Sequence, residues 1–355
     1  MIADAHKLSV YFGDSIQSGS RLAGDALMDC FDRHGLAASA LVRGIEGFGI
    51  NRRIHAQRFP DVSTDLPLLA WAVDDRERIA AVLPDVDRAV PRGLVTLERT
   101  LLATGADVAR AQFPEGVGRA GKLTIYCRSS ERVRGRPAYR EAVALLRAHG
   151  ASGAIVLAGV DGRLYGRRQR VRLFSGNDAP MIIISVGPRE PLGRALPQLA
   201  DVLREPIVNL DPIAQLKQDG ELLEPPPSPS GPAHRDVWQT IRVYTRRIAE
   251  VNGRALYSEL TRSLREAGAA GATTVLGDWG FSSDETPHGD KLGHVASHRP
   301  TYSVYIDRPD RVAEMWPLID DLTAEHGIVT SLFVPGYRER AGATIHGTLD
   351  AFSAP

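Results

Sequence analysis

The chain has 355 residues, of which 43% are hydrophobic and 24% charged, a length that suits two or three domains. Two cysteines are too few for a disulfide framework, so we expect a reducing, cytoplasmic location. The most apolar run, Met181–Val186, is far too short to cross a membrane, so we expect a protein that is not embedded in one.

Charge is distributed unevenly along the chain, although 43 basic and 43 acidic residues cancel overall. Basic and acidic residues number 13 and 15 in residues 1–110, 17 and 9 in 111–217, and 13 and 19 in 218–355. Because the first and last thirds of the chain carry net negative charge, we exclude a protein that binds nucleic acid along its whole length. The basic middle third is either a wall that faces an anion or a surface that docks onto its acidic neighbours.

The opening segment KLSVY (Lys7–Tyr11) recurs as KLTIY (Lys122–Tyr126) and TIRVY (Thr240–Tyr244), at offsets of 115 and 118 residues. Two prolines also recur in each copy with a constant spacing of 17 residues. The recurring positions are Gly35, Gly150 and Gly268; Gly44, Gly159 and Gly277; Gly47, Gly162 and Gly280; Pro67, Pro180 and Pro300; and Pro84, Pro197 and Pro317. This repetition predicts three copies of one unit.

Each copy predicts the order strand-helix-strand-strand-helix-strand. In the first copy, a helix that ends at Gly35 follows the opening strand, and the second strand covers Ala37–Val42. A glycine-bearing turn and a surface loop of variable length lead to a third strand, Leu68–Val73. A second helix, kinked or split by Pro84, precedes the final strand, Leu94–Leu97.

This order predicts an α+β fold of three tandem ferredoxin-like βαββαβ units, each an antiparallel sheet backed by two helices. The predicted boundaries are unit one at 1–104, a linker at 105–121, unit two at 122–217, a proline-rich linker at 218–236, unit three at 237–340 and a tail at 341–355.

The segment RGIEGFG (Arg43–Gly49), followed by His55 and STDLP (Ser63–Pro67), resembles bacterial proteins catalogued as domain of unknown function 190 (DUF190), relatives of the PII signalling proteins. The motif is eroded in the second and third copies. PII-like proteins are typically trimers that bind nucleotides or other small effectors between subunits and contact a target protein through a long loop. The resemblance implies a monomer that closes as an intramolecular pseudo-trimer.

The implied function is a non-enzymatic, PII-like regulatory or ligand-sensing protein. A small anionic effector, with a nucleotide as one candidate, would bind in the clefts between units, and loops after the second strands would signal to a protein partner. No other cofactor is expected. The alternative is an accessory protein of a fluoride or metal tolerance system that recognises a membrane transporter or channel without a small ligand. An enzyme, such as a slow nucleotide hydrolase, ranks third because no catalytic constellation is visible.

The glycine turn is the first candidate site, because its N–H groups and nearby arginines suit an anion. The alternative is that glycine merely meets the backbone angles of a turn. The candidate ligand-binding residues in copy one are Arg43, Gly44, Glu46, Gly47, Gly49, Arg52, Arg53 and His55. Those in copies two and three are Gly159, Gly162, Arg163, Arg167, Arg168, Gly277 and Gly280.

Two loops carry further candidates. Five arginines in Gly162–Arg172 suit an anionic partner, and an ordinary solvated loop is an equally good interpretation. His288, His294 and His298 are weak metal-ligand candidates, because a polar loop often contains such residues and their spacing is not that of a tetrahedral site.

Overall fold

The computed structural model describes residues 1–49, 51–56, 65–171, 178–228, 237–283, 286–289 and 298–349. The protein is a mixed α+β structure in which three tandem repeats contribute to one large antiparallel sheet, with 20 strands among the described residues. Within these ranges no helix combines the length and apolar character needed to cross a membrane.

The first repeat contains the predicted alternation of strands and helices, with short hairpins added. Its elements are β1 (Ile2–Gly13), β2 (Gln17–Ser18), β3 (Arg21–Leu22), α1 (Ala23–Arg33), β4 (Ala38–Phe48), β5 (His55–Ala56), β6 (Pro67–Asp75), α2 (Arg76–Ala89) and β7 (Arg92–Thr104). A 3₁₀ helix, Gly105–Arg110, leads into the second repeat.

The second repeat follows the same order. Its elements are β8 (Ala120–Arg128), β9 (Arg132–Val133), β10 (Arg136–Pro137), α3 (Ala138–Ala148), β11 (Gly153–Ala158), β12 (Asp161–Leu164), β13 (Arg167–Arg170), β14 (Pro180–Pro188), α4 (Arg189–Val202), β15 (Ile207–Gln218) and β16 (Glu221–Leu222).

The third repeat ends in an additional hairpin. Its elements are β17 (Trp238–Arg246), β18 (Glu250–Val251), β19 (Arg254–Ala255), α5 (Leu256–Glu266), β20 (Ala272–Leu276), β21 (Trp279–Ser282), β22 (His288–Gly289), β23 (Pro300–Asp307), α6 (Pro309–Leu322), β24 (Ile328–Val334), β25 (Gly336–Ala341) and β26 (Thr344–Thr348).

The four main strands of each repeat pair in the same order, with the first strand between the third and the fourth. In the first repeat the order is β7-β1-β6-β4, in the second β15-β8-β14-β11, and in the third β24-β17-β23-β20. Each repeat therefore forms its own four-stranded antiparallel sheet within the larger one.

The first helix of each repeat is amphipathic and buries one face. In α1 the buried side chains include Leu27 and Phe31, at the i and i+4 spacing that places them on one side of the helix. Gly35, Gly150 and Gly268 follow these helices with φ of +64°, +91° and +91°, so the predicted glycine C-caps are confirmed. Leu36 N–H then donates to the Phe31 carbonyl at 3.4 Å, which satisfies the end of α1.

Each repeat has one hydrophobic core between its helices and its sheet, and a further core is shared by all three repeats. Leu27, Leu146 and Leu260 belong to the three separate cores. The shared core joins Trp71, Ile184 and Tyr302, each from a different repeat. The sheet is therefore buried on both faces, which is why its strands are almost continuously apolar.

The glycine-bearing segment after the second strand of each repeat pairs with a strand of another repeat, and the three pairings form a closed cycle. The Gly44–Phe48 part of β4 pairs with β20, β12 pairs with β4, and β21 pairs with β11. The fourth strands also connect, because β7 pairs with β15 and β15 with β24. The β25 strand of repeat three returns to β7 of repeat one, so every repeat pairs with both others.

The structure corrects three expectations about local structure, wholly or in part. The predicted glycine turn after Val42 is a continuation of β4 to Phe48, because this segment pairs with another repeat. Pro84, Pro197 and Pro317 each lie inside one continuous helix, so the expected split does not occur and the expected kink stays a prediction. The predicted tail contains β26, which forms a hairpin with β25.

Five charged side chains from all three repeats meet in the interior. They are Lys7 and Glu98 of repeat one, Lys122 and Asp211 of repeat two, and Arg242 of repeat three, all at most 4% exposed in their side chains. The Lys122 ammonium lies 3.1 Å from both Glu98 Oε2 and Asp211 Oδ2. Paired charges at this depth join the repeats electrostatically.

Candidate functional site

A cavity of about 240 Å³ lies where repeats one and three meet. One wall is the C-terminal part of β4, where Gly47 and Phe48 pair with Thr273 and Ala272 of β20. His55 of β5 adjoins this wall, because it pairs with Gly47 from the other side. The cleft is therefore assembled from two repeats.

The cavity combines an apolar body with a polar rim. The apolar lining includes Phe12, Ile16, Phe48, Leu94, Val304 and Ile306, and Tyr337 closes it from repeat three. The polar lining comprises Asn51, Arg53, His55, Asp65, Arg92 and Glu339, together with Thr273. Apolar walls with a few polar groups are typical of small-molecule sites.

Two exposed guanidinium groups, those of Arg53 and Arg92, belong to this lining. The two carboxyl groups of the lining, Asp65 and Glu339, are less able to repel an anion than the two guanidinium groups are to attract it. Asp65 Oδ1 accepts a hydrogen bond from the Ser15 hydroxyl at 2.7 Å, and Asp65 Oδ2 lies 3.8 Å from His55 Nε2. Burial raises the pKa of the Glu339 carboxyl, although His346 acts in the opposite direction. This distribution of charge favours an anionic ligand with an apolar part.

The recurring glycines allow strands of different repeats to approach closely. A Cβ atom on Gly47 would lie 2.7 Å from the Ala272 carbonyl oxygen, and one on Gly280 would lie 2.3 Å from that of Ala154. For Gly162 the neighbouring atom is the Ser39 carbonyl oxygen, at 2.5 Å. Each of these oxygens belongs to another repeat. The glycines are thus required by inter-repeat packing, which neither of the two sequence-based interpretations anticipated.

The first glycine of each pair packs on the recurring proline of the third strand. A Cβ atom on Gly44, Gly159 or Gly277 would lie 2.7, 2.7 or 2.8 Å from Cγ of Pro67, Pro180 or Pro300. The N–H groups of Gly159 and Gly277 donate to the carbonyls of these prolines at 2.8 and 2.7 Å. Since those N–H groups already have partners, they do not present themselves to an anion.

The position equivalent to the cavity is nearly closed between repeats three and two. There Gly280, Phe281 and Pro300 replace Gly47, Phe48 and Pro67, and the remaining space is about 20 Å³. Between repeats two and one, Tyr165 occupies the corresponding position. Its hydroxyl lies 3.3 Å from the Tyr126 carbonyl, and the Arg128 guanidinium carbon lies 4.7 Å from its ring centroid. The cleft between repeats one and three is therefore much larger than its counterpart between repeats three and two.

The family model described as "Uncharacterized ACR, COG1993" matches residues 5–101, 120–215 and 238–334. The chain belongs to this family, DUF190. The family resemblance and the three tandem copies predicted from the sequence are confirmed, and each match covers one repeat of the structure.

Among solved structures, the crystal structure of an unknown protein from Galdieria sulphuraria is similar to this DUF190 chain. The similarity covers 59% of this chain and 98% of that one, with 10% sequence identity and a TM-score of 0.20. A likeness at this level supports no argument about fold or function.

The predicted residues of the first DUF190 repeat divide between the cavity and its surroundings. Gly47, Gly49, Arg53 and His55 line the cavity. Arg43 and Arg52 do not. The Arg43 guanidinium lies 3.8 Å from Asp14, and Arg52 has φ of +51° and places its guanidinium beside Gly268 after α5.

Glu46 faces repeat three instead of a ligand. It is buried, and its Oε1 accepts a hydrogen bond from the Ser258 hydroxyl of α5 at 3.1 Å. Its role in the structure is therefore a contact between repeats.

The predicted arginines of the second repeat bind acidic residues of the first. Arg163 pairs with Asp32, Arg168 with Asp29, and Arg170 with Asp25, all on α1. Hydrogen bonds from Arg168 and Arg21 lower the pKa of Asp29, although desolvation acts in the opposite direction. Of the two interpretations of the basic middle third, docking onto an acidic neighbour describes this surface.

The remaining candidates of the two loops lie apart from the cavity. Arg168 also binds the buried Asp161 at 2.6 Å, so it is an internal partner and not a free cation. Arg167 is exposed, whereas Arg172 lies outside the described residues. His298 is described and exposed, His294 lies outside the described residues, and only the backbone of His288 is described.

Sequence reasoning missed the cavity residues contributed by β7, β20 and the C-terminal hairpin. Arg92, Ala272, Tyr337 and Glu339 belong to this group. No local motif marks them, because they reach the cavity only through the pairing of β25 with β7 and of β20 with β4.

Proposed function

We propose that this DUF190 chain is a non-enzymatic, PII-like ligand sensor. In this proposal three ferredoxin-like repeats close as an intramolecular pseudo-trimer, and a small anionic effector, with a nucleotide as the leading candidate, binds between repeats one and three. The segments that follow the second strands carry the signal to a protein partner.

The strand pairings between repeats support the pseudo-trimer. The glycine segment of repeat one pairs with repeat three, that of repeat three with repeat two, and that of repeat two with repeat one. A cyclic relation of this kind is what three identical subunits around one axis would have. Covalent linkage makes the assembly intramolecular and allows the three clefts to diverge.

The observation that carries the proposal is the difference in size between equivalent clefts. The cleft of repeats one and three offers about 240 Å³, whereas its counterpart between repeats three and two offers about 20 Å³. Phe12, Phe48 and Tyr337 give the larger cleft aromatic surface for a flat ring. Arg53 and Arg92 supply guanidinium groups of the kind that bind phosphate.

Ligand binding to the full chain tests the proposal. We expect nucleoside mono-, di- or triphosphates, screened beside inorganic phosphate and sulfate, to raise the melting temperature in a concentration-dependent manner. Isothermal titration calorimetry should give one binding site per chain, because the counterpart cleft between repeats three and two is nearly closed. Absence of binding throughout this panel would contradict the proposal and favour the alternative role as an accessory protein.

A variant that fills the cleft locates the site. Gly49 lines the cavity, has open space around it and corresponds to the buried Leu164 of repeat two. We expect Gly49→Leu to weaken effector binding at least tenfold while the chain stays folded. Gly193→Leu is the matched control, because Gly193 of α4 also has open space and lies in another repeat. Equal binding by both variants would place the effector elsewhere.

A further inference from the structure

A cysteine, a histidine and an aspartate meet on the outer side of repeat one, away from the cleft. Cys30 of α1, His34 at the end of α1 and Asp85 of α2 place one potential ligand atom each within 4.8 Å of one another. His34 Nε2 lies 2.7 Å from Asp85 Oδ2. We propose that Cys30, His34 and Asp85 bind a divalent transition metal ion of the zinc class.

Local structure explains why these three side chains converge. Cys30 and His34 are four residues apart, a spacing that places two side chains on the same side of a helix, one turn from each other. Asp85 approaches from α2, which packs beside α1 in the core of repeat one. A tetrahedral zinc ion holds its ligand atoms about 3 to 4 Å apart, so small side-chain movements suffice.

The chemistry of the three donors suits this class of metal. Thiolate, imidazole and carboxylate are the three side-chain ligands that zinc uses in proteins. Cys30 is buried, whereas the side chains of His34 and Asp85 are 28% and 22% exposed. The exposed side therefore leaves room for water as a fourth ligand.

A neighbouring arginine fixes one carboxylate oxygen. Arg88 binds Asp85 Oδ1, which leaves Oδ2 directed at His34. An outer hydrogen bond of this kind orients a metal-binding carboxylate. The positive charge of Arg88 also opposes a cation, so we expect moderate affinity.

Comparison of the three repeats argues against a purely structural role. The positions of Cys30, His34 and Asp85 correspond to Leu145, His149 and Gln198 in repeat two, and to Ser263, Ala267 and Leu318 in repeat three. The same helix pair thus forms with apolar or uncharged residues at these positions. Of the three repeats, repeat one carries the full set of three donors, and the other two form the same helix pair without it.

Titration of the full chain with Co²⁺ under reducing conditions tests the site. Thiolate coordination produces an intense ultraviolet charge-transfer band, which carboxylate or histidine binding in a surface loop does not. We expect one equivalent of Co²⁺ to give this band, and Zn²⁺ to displace it. A wild-type chain without the band would overturn the proposal, even if it bound Co²⁺ through other residues.

Variants identify the ligands. Cys30→Ser introduces the residue that repeat three carries at this position and should abolish the band, whereas Cys127→Ser, at the other buried cysteine, should retain it. His34→Gln changes a partly exposed side chain and should weaken Co²⁺ binding about tenfold or more. Retention of the band by Cys30→Ser, or unchanged affinity in His34→Gln, would contradict the assignment.

Discussion

Lys122 of repeat two places its ammonium nitrogen 3.1 Å from Oε2 of Glu98 in repeat one, and both side chains are 1% exposed. The other oxygen of Glu98 binds Arg242 of repeat three. One buried carboxylate therefore joins all three repeats. Removal of one partner from such a group leaves uncompensated charge in the interior, which is more costly than the loss of an exposed ion pair.

We expect Glu98→Gln to lower the free energy of unfolding by about 3 to 5 kcal/mol, because Lys122, Arg242 and Lys7 then lose their shared anion. Chemical denaturation at neutral pH measures the change. Glu190→Gln is the control, since Glu190 forms an exposed pair with Arg194 on α4 and should change stability by less than about 1 kcal/mol. Equal effects of the two substitutions would show that the central cluster does not hold the repeats together.

Lys7 makes stability depend on pH. Its ammonium lies 3.5 Å from Glu98, but burial lowers its pKa from 10.5 to about 7. The unfolded chain therefore binds one more proton than the folded chain between about pH 7 and pH 10.5. Stability should rise with pH in this window, by at most about 1.4 kcal/mol per pH unit.

Lys7→Met tests the assignment. Without Lys7, the carboxylates Glu98 and Asp211 are balanced by Lys122 and Arg242, so the variant should be at least as stable as the wild type at pH 7. Denaturation curves between pH 7 and pH 9 should have a smaller pH dependence in the variant. The pKa of His6 is lowered to about 4 by burial, so that residue is neutral throughout this range in the folded chain. An unchanged pH slope in Lys7→Met would contradict the prediction.

Gly47→Ala should weaken the junction between repeats one and three. The added methyl group would lie 2.7 Å from the Ala272 carbonyl oxygen, which belongs to a paired strand and cannot easily move. We expect a loss of about 1 to 3 kcal/mol, the range typical of overpacking. Gly49→Ala, two residues later, has open space and should leave the melting temperature unchanged or slightly raised. Similar melting temperatures for the two variants would refute the close-packing role of Gly47.

The repeat could be predicted from the sequence because its glycines, prolines and opening strands recur at fixed spacings along the chain. The helix-ending glycines and the order of the main strands depend on residues near one another in the chain, and both were predicted. The continuation of β4 through Gly44 and Gly47 was read as a turn. Its strand conformation depends on β20, more than 200 residues away, which no local pattern encodes.

Part of the candidate site could be predicted because some of its residues lie close together in the sequence. Gly47, Gly49, Arg53 and His55 belong to one contiguous motif and line the cavity. From the sequence, the arginines Arg163 and Arg168 suit either an anionic partner or an ordinary solvated loop, and the basic middle third suits either a wall that faces an anion or a surface that docks onto acidic neighbours. That choice depends on whether α1 of repeat one faces β12 and β13, and this is a property of the assembled repeats.

Exchange of the charges between repeats one and two tests the docking of the arginine hairpin on α1. Arg163 binds Asp32, and their side chains are 17% and 36% exposed. We expect Arg163→Asp to lower stability by about 1 kcal/mol or more, because it places two carboxylates together, and Asp32→Arg in the same chain to restore part of the loss. The coupling energy from the four denaturation curves should exceed that of Glu190 and Arg194, an exposed pair within one helix. If the coupling is no larger, the hairpin does not depend on α1 for its position, and its arginines are available to an external anion instead.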